Sequence, residues 1–281
     1  MGPLYHRKKK SMDSDARIEA QKQWNARACG ELPGDKQSID YFNAVARDRY
    51  QQSEWVHNYF RYEEFSGMNV LEVGIGQGTD MMQFAKGGAI CHGVDITQNH
   101  LKITALNATL HGYEVDLHEA DATRLPFADN TIDCIYSFGV LHHIPDIEKV
   151  VSEIHRVLKP GGRVMIALYY KWSAFHLFCK VLANGIRNGW LFTKGYSGLL
   201  ATIEMGADGV NVKPYVRLFS KSEVRNLMKE FALGDLSIHQ LHEDHFWPPF
   251  LGQLLRKRLK ELEPHMGWYV TYQGRKPKES S

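Results

Sequence analysis

Two hydrophobic rhythms divide the chain. Residues 16–64 carry aromatic side chains between polar ones, among them Trp24, Tyr41, Phe42, Tyr50, Trp55, Tyr59, Phe60 and Tyr62. That spacing predicts helices laid over another surface, split by a turn at CGELPGD, residues 29–35. From residue 67 short apolar runs alternate with amphipathic stretches. NVLEV (69–73), AICHGVD (89–95), EVDLHEAD (114–121), TIDCIYS (131–137) and RVMIALYY (163–170) predict five strands. Helices are predicted over 79–86, from a cap at Thr97 to about residue 110, and over 146–158. In the last of these Ile147, Val150, Val151, Ile154 and Leu158 share one face, and KPGG (159–162) stops it. Strands alternating with helices imply a parallel sheet covered on both faces.

Residues 172–217 break the rhythm, being apolar, glycine-dotted and long for a connection. SKSE (220–223) has capping-box spacing and predicts a helix with Val224, Leu227, Met228 and Phe231 inward. DLSIHQL (235–241) and GWYVTYQGR (267–275) predict two closing strands. The reading is therefore a tail over 1–15, a helical cap over 16–66, an α/β core over 67–171 and 217–281, and a helical lid inserted at 172–216. The tail, with its short basic run and little to bury, is expected to be disordered.

Composition narrows the classes. The 281 residues are 43% apolar, enough for a sizeable core, and 34 basic against 32 acidic side chains leave a net charge of +2. Such a balance supplies no general argument for nucleic acid or an anionic membrane. The most apolar region, 164–186, is interrupted by Lys171, His176 and Lys180. A spanning helix wants roughly 20 mostly apolar residues, so no membrane span is expected. The N-terminus is polar and shows no signal peptide. Cys29, Cys91, Cys134 and Cys179 form no CxxC pair, which points to a reducing, cytoplasmic compartment without disulfides.

The chemistry starts at NVLEVGIGQGTD (69–80). Three glycines, Gly74, Gly76 and Gly78, follow a strand that ends in Glu72. Bare backbone lets a ligand touch the main chain, and the next helix offers its free N–H groups there. A nicotinamide or flavin site usually reads GxGxxG, whereas the spacing here is GxGxG. Asp95 ends the second strand, where a carboxylate can accept from two ribose hydroxyls. Asp121 lies just past the third, where a carboxylate can accept from an exocyclic adenine amine and the backbone at Ala122 can complete recognition of the ring. A turn acid explains Asp121 alone; the series on three successive strand ends is more specific.

In this ordered set the chain resembles the class I S-adenosylmethionine-dependent methyltransferases, in the broad branch that modifies small molecules. The segments are LEVGIGQG (71–78), GVDIT (93–97), EADATRLPFADNTID (119–133), SFGVLHHIPD (137–146) and RVLKPGG (156–162). The resemblance implies a Rossmann-like, doubly wound sheet of seven strands, the last antiparallel. It implies S-adenosyl-L-methionine as cofactor and S-adenosyl-L-homocysteine as product. By it, Glu72 and the glycines line the methionine end, Asp95 holds the ribose, Asp121 and Ala122 hold the adenine, and Ile96 packs on its face. Ser137 and Phe138 border the reaction centre.

Methyl transfer is an in-line displacement that rests mainly on positioning, and a hydroxyl or amine acceptor must also lose a proton. His142 and His143, at the mouth of such a site, are the candidate bases; packing is the plain alternative for both. Tyr41 and Tyr50 can offer hydroxyls to the methionine carboxylate. Within KPYVRLF (213–219), Lys213, Tyr215 and Arg217 are substrate candidates, the two cations suited to a substrate carboxylate. Trp172, Phe175, Phe178, Trp190, Phe192 and Tyr196 in the insert suit an apolar or aromatic ligand, or a homodimer surface. No Asn- or Asp-Pro-Pro-aromatic run follows the fourth strand, which with the balanced charge opposes a nucleic-acid substrate. His239, His242, Glu243, Asp244 and His245 lack a defined ligand set, so no metal is assigned. The expected activity is methylation of a small organic acceptor, at oxygen first, with a peptide or its terminal carboxylate as alternative. A nicotinamide-dependent oxidoreductase and a non-catalytic cofactor-binding protein remain as further alternatives.

Overall fold

The computed structural model describes residues 18–22, 24–25, 30–204 and 215–278. The predicted tail, Cys29 and Lys213 lie outside them.

Seven strands form one sheet: β1 (Asn69–Val73), β2 (Ile90–Asp95), β3 (Val115–Glu119), β4 (Ile132–Phe138), β5 (Leu158–Tyr169), β6 (Ala232–His239) and β7 (Tyr269–Arg275). Their order is β3-β2-β1-β4-β5-β7-β6. The first five are parallel, and β7 runs antiparallel to both β5 and β6. Strands β1, β4 and β5 are buried on both faces, which is why they read as near-continuous apolar runs. The order reverses between β1 and β4, so a crevice opens beyond their carboxyl ends, the usual ligand position in such sheets.

The helices are α1 (Ile39–Gln52), α2 (Trp55–Phe60), α3 (Thr79–Lys86), α4 (Gln98–His111), α5 (Ile147–Val157), α6 (Trp190–Ala201), α7 (Lys221–Leu227), α8 (Pro249–Leu255) and α9 (Leu259–Met266). Local chemistry starts several of them. The Thr97 hydroxyl accepts from His100 N–H, and Ser220 and Glu223 form the reciprocal capping box of α7. One sheet face packs against α5 through Ile147, Val150 and Ile154; the other packs against Phe60, Phe65 and Phe84. Truncating a fully buried residue such as Ile154 to Ala would cost roughly 2–5 kcal/mol.

KPGG does end α5 at Val157, but it does not precede the strand. β5 begins at Leu158 and takes these residues in as an irregular start, where the ladder to β4 shifts between Ile132 and Cys134. The Arg275 guanidinium donates to the Gly161 carbonyl (2.9 Å) and holds the irregularity against β7. After β5 the chain makes a helical hairpin, a wide π-wound helix at Phe175–Arg187 followed by α6. Among the described residues no helix is long and apolar enough to cross a membrane.

Candidate active site

The crevice is a cavity of about 680 Å³, within the range of small-molecule sites. Its floor is the set of strand tips. Glu72, Gly74, Gly76, Asp95, Ile96, Asp121, Ala122, Phe138 and His143 all line it. Arg49 and Gln52 from α1, and Ile18 and Trp24 before it, close it from the N-terminal side. Gln21 donates to the Ile96 carbonyl (2.9 Å), tying that segment to the β2 tip.

The glycine loop divides its labour. A Cβ on Gly74 would stand 2.4 Å from the Val140 side chain, and one on Gly78 2.7 Å from that of Thr104, so these two let neighbouring elements close up. A Cβ on Gly76 would meet nothing within 4 Å. Gly78 starts α3 and does not line the cavity.

Two acids beside the loop are shifted in opposite directions. Asp80 accepts from Arg49 Nε (2.9 Å) and Arg49 Nη2, from the Tyr50 hydroxyl (2.7 Å) and from the Tyr136 hydroxyl (2.8 Å). Burial pushes its carboxyl up, but the guanidinium and these bonds outweigh burial and hold it below the usual range. Burial, with the Asp80 charge behind it, drives Glu72 well above that range, and its Oε2 is buried with no hydrogen-bond partner. Tyr50 therefore stands behind the wall and holds Asp80 rather than facing a ligand. Tyr41 likewise gives its hydroxyl to Gln77 Oε1 (2.9 Å). Arg49 and Asp80 were missed; a basic-aromatic pair ending a helix, with an acid opening the helix after the glycines, was the available signal.

Asp95 accepts from Ile75 N–H (3.1 Å), Thr97 N–H (2.9 Å) and the Thr97 hydroxyl (2.9 Å), and His100 Nδ1 lies 3.1 Å from its Oδ2. Burial raises this carboxyl, yet the bonds from His100 and Thr97 keep it below the ordinary range. With Nδ1 donating to the carboxylate, His100 Nε2 is left buried without a partner beside the cavity. Asp121 Oδ1 accepts from Thr123 N–H (2.8 Å), so it is both a turn acid and a cavity acid. Ser137 is fully buried and donates to the Val73 carbonyl (2.8 Å), which places it behind the wall that Phe138 presents.

The two histidines differ sharply. His142 is fully buried with its ring 3.7 Å from that of Tyr169, neither nitrogen has a partner, and burial holds its pKa well below the usual value. It does not line the cavity, so the reading of His142 as a base is corrected to packing. His143 lines the cavity. Its Nδ1 donates to the Tyr215 carbonyl (2.8 Å), since a carbonyl can only accept. Nε2 then carries the lone pair, buried and 3.9 Å from Glu204 Oε1. Burial lowers the pKa of His143 against the pull of Glu204 and Tyr215. Glu204, which also accepts from the Tyr169 hydroxyl, follows α6 within the insert and was not anticipated. Trp24, its ring 5.5 Å from that of His143, Tyr169 and Tyr269 complete the apolar side.

The substrate candidates stand elsewhere. Tyr215 acts through its carbonyl and does not line the cavity. Arg217 pairs with Glu148 (3.2 Å) and stacks over Phe219 outside it, its backbone fixed by the His142 carbonyl. The His239–His245 run also serves packing, His239 lying flat on Trp55 at 4.2 Å. Among the described residues, the donors that do converge are His142, His143 and Glu204, within 4.8 Å of one another.

These residues fit S-adenosyl-L-methionine. The partnerless Glu72 oxygen suits an ammonium group, the open space at Gly76 an amino-acid backbone, and Asp95 with His100 Nε2 a pair of ribose hydroxyls. Asp121 and Ala122 stand where a purine would reach.

Comparison with known proteins agrees. Residues 71–166 match a methyltransferase domain family. The chain is 38% identical over 112 residues to methyltransferase GfsG of Streptomyces halstedii, which is 39% of this chain and 40% of that one. It is 28% identical over 119 residues to a ubiquinone biosynthesis O-methyltransferase of Bartonella bacilliformis, 42% of this chain and 48% of the relative. The chain spans less than half the length of the curated relatives it matches. In fold it is similar to Haemonchus contortus phosphoethanolamine N-methyltransferase 2 in complex with S-adenosyl-L-methionine, with a TM-score of 0.52 and 20% identity, over 76% of this chain and 50% of that one. The domain match favours a methyltransferase over the nicotinamide alternative.

Proposed function

We propose that the chain, a class I S-adenosylmethionine-dependent methyltransferase, methylates a hydroxyl on a small apolar or aromatic acceptor, with His143 as the base. When bound, the cofactor supplies an electrophilic methyl group on a sulfonium. The observation that carries the reading is the tautomer of His143, a residue of the cavity lining: Nδ1–H is committed to Tyr215, which leaves a buried lone pair on Nε2 without a hydrogen-bond partner. The lowered pKa keeps the ring neutral at pH 7 and ready to take a proton. Glu204 Oε1, 3.9 Å away, stabilises the imidazolium that results. Trp24, Tyr169, Tyr269 and Phe138 give the acceptor an apolar berth and exclude water from the proton transfer.

The peptide-carboxylate alternative loses support, because Arg217 is turned to Glu148. A second reading has one observation behind it. His142, His143 and Glu204 are a donor set a transition metal accepts, and a metal there would bind the acceptor oxygen as its anion.

Incubation with methyl-labelled cofactor and a panel of phenols, aliphatic alcohols, amines and carboxylates tests the proposal. Label on a hydroxyl, undiminished by a chelator, is the expected result. Label on amines alone, or on nothing despite cofactor binding, sinks it. Chelator-sensitive turnover restored by zinc transfers the site to the metal reading.

A further inference from the structure

Scattered apolar side chains on a protein surface are ordinary; a concentration of them is not. Among the described residues, seven of the eleven large apolar side chains that are exposed fall within 172–196 and 250–254. The two segments adjoin. The π-wound helix packs on the 243–266 region through Phe178 and Phe246 (5.3 Å between rings), and the Arg187 guanidinium lies 5.3 Å over the Trp247 ring. What they turn outward is apolar. Leu182 and Ile186 project from the π-wound helix and Phe192 (85% exposed) from α6, while Tyr196, past the kink at Gly195, exposes part of its ring with its hydroxyl on His176 Nε2 (3.1 Å). In α8, Leu251 and Leu255 face the core while Phe250 (66%) and Leu254 (75%) face out.

The charge on these segments is one-sided. Residues 171–203 hold Lys171, Lys180, Arg187 and Lys194 and no acid. Residues 247–260 hold Arg256, Lys257, Arg258 and Lys260 and no acid. With a net charge of only +2 on the whole chain, the remainder is net acidic. Lys180 is buried on the Thr202 carbonyl and does not count, but Arg187, Lys194, Lys257, Arg258 and Lys260 are exposed. Lys257 and Arg258 continue the Phe250–Leu254 face by one more turn. Of the bordering acids, Glu243 is paired with Arg256, Glu204 accepts from the Tyr169 hydroxyl and Glu263 from the Gln240 N–H, which leaves Asp244 and Glu261 exposed.

We propose that this face docks on the surface of an anionic phospholipid bilayer. Exposed phenyl and isobutyl groups flanked by basic side chains are the composition that lies in the headgroup–acyl boundary. Charge complementarity decides against a second copy of the chain. A two-fold pairing would set the same patch against itself, cation on cation. Both ends of the hairpin, Tyr169 and Glu204, line the cavity, so the docking face and the acceptor side belong to one excursion of the chain.

The test is flotation of the whole protein with vesicles of phosphatidylcholine alone or mixed with phosphatidylglycerol. It does not depend on methyl transfer, so it fails or succeeds separately from the proposed activity. Wild type is expected to float only with the anionic vesicles and to be released on going from about 0.1 M to about 1 M salt, as the screening length shrinks to a few ångströms. Phe250→Ser with Leu254→Ser, and separately Lys257→Glu with Arg258→Glu, should each lower the bound fraction about tenfold. All four positions are exposed, so the melting temperature should stay at the wild-type value. Absence of flotation, equal flotation with both vesicle types, or flotation unchanged in both variants overturns the proposal. A dimer in sedimentation that Phe250→Ser with Leu254→Ser dissolves, without vesicle binding, overturns it in favour of a second copy.

Discussion

The cofactor side and the acceptor side of the cavity are built on opposite principles. On the cofactor side polar atoms are paired in advance: Asp95 has four donors around it and Asp80 four. Among the described residues that line this side, Glu72 and His100 each keep one buried atom, Oε2 and Nε2, without a partner. On the acceptor side the imidazole lone pair at His143 is buried without a partner, and its neighbours are mostly aromatic. In the proposed reading one side is a socket for a ligand of fixed shape, the other an apolar chamber with one base. Preorganised hydrogen bonds serve recognition; a partly desolvated, unspent base serves chemistry.

The contrast can be broken at its strongest point first. His143→Asn should lower kcat about 10²–10⁴-fold on whichever acceptor the panel identifies, while calorimetry finds cofactor affinity unchanged. An equal loss in both would mean that the sides are not separable. Next comes Asp80→Ala, which leaves the Arg49 guanidinium facing a wall without its carboxylate. A loss of about 3 kcal/mol, read as a melting temperature lower by roughly 6–12 °C, is expected. Asp95→Asn should weaken cofactor binding about 10- to 100-fold through the charged hydrogen bonds it gives up.

A pH titration sharpens the picture. His142, His143, His239 and His245 are all held below their ordinary pKa by burial, the last two at about 4. The unfolded chain takes up protons below about pH 6.5 where the native one does not. Stability is therefore full above that pH and falls as the pH drops from there towards 4, by up to about 1.4 kcal/mol per pH unit for each histidine. His142→Phe should flatten the fall in melting temperature between pH 7 and pH 5; an unchanged slope would count against a neutral buried imidazole there. The smallest effect is expected from Glu72→Gln. Burial disfavours the charged carboxylate there, so the isosteric amide should hardly move the melting temperature, while loss of the carboxylate that a cofactor ammonium would pair with lowers affinity about tenfold.

The same division governs what the chain discloses before it folds. Gly74, Gly76, Glu72, Asp95 and Asp121 each sit within a few residues of a strand tip, so local spacing carries them to the cavity. The sheet follows from alternating runs, and the capping box at Ser220 from four letters. The acceptor side is non-local. His143 depends on a carbonyl 72 residues away, Glu204 comes from within an insert, and Trp24 from ahead of the core. Tyr50 and Arg217 show the limit from the other direction: a hydroxyl and a cation were legible, but the partners that claim them, Asp80 and Glu148, were not.

Gly76 offers a practical handle. Its backbone sits at φ +52°, and a methyl group added there would project into open space rather than into a neighbour. Gly76→Ala would thus strain the backbone by about 1–2 kcal/mol and leave the packing untouched, yet plug the berth proposed for the cofactor's amino-acid tail. The protein can be silenced without being unfolded. Such a ligand-refusing scaffold would let adhesion to vesicles be followed with turnover switched off.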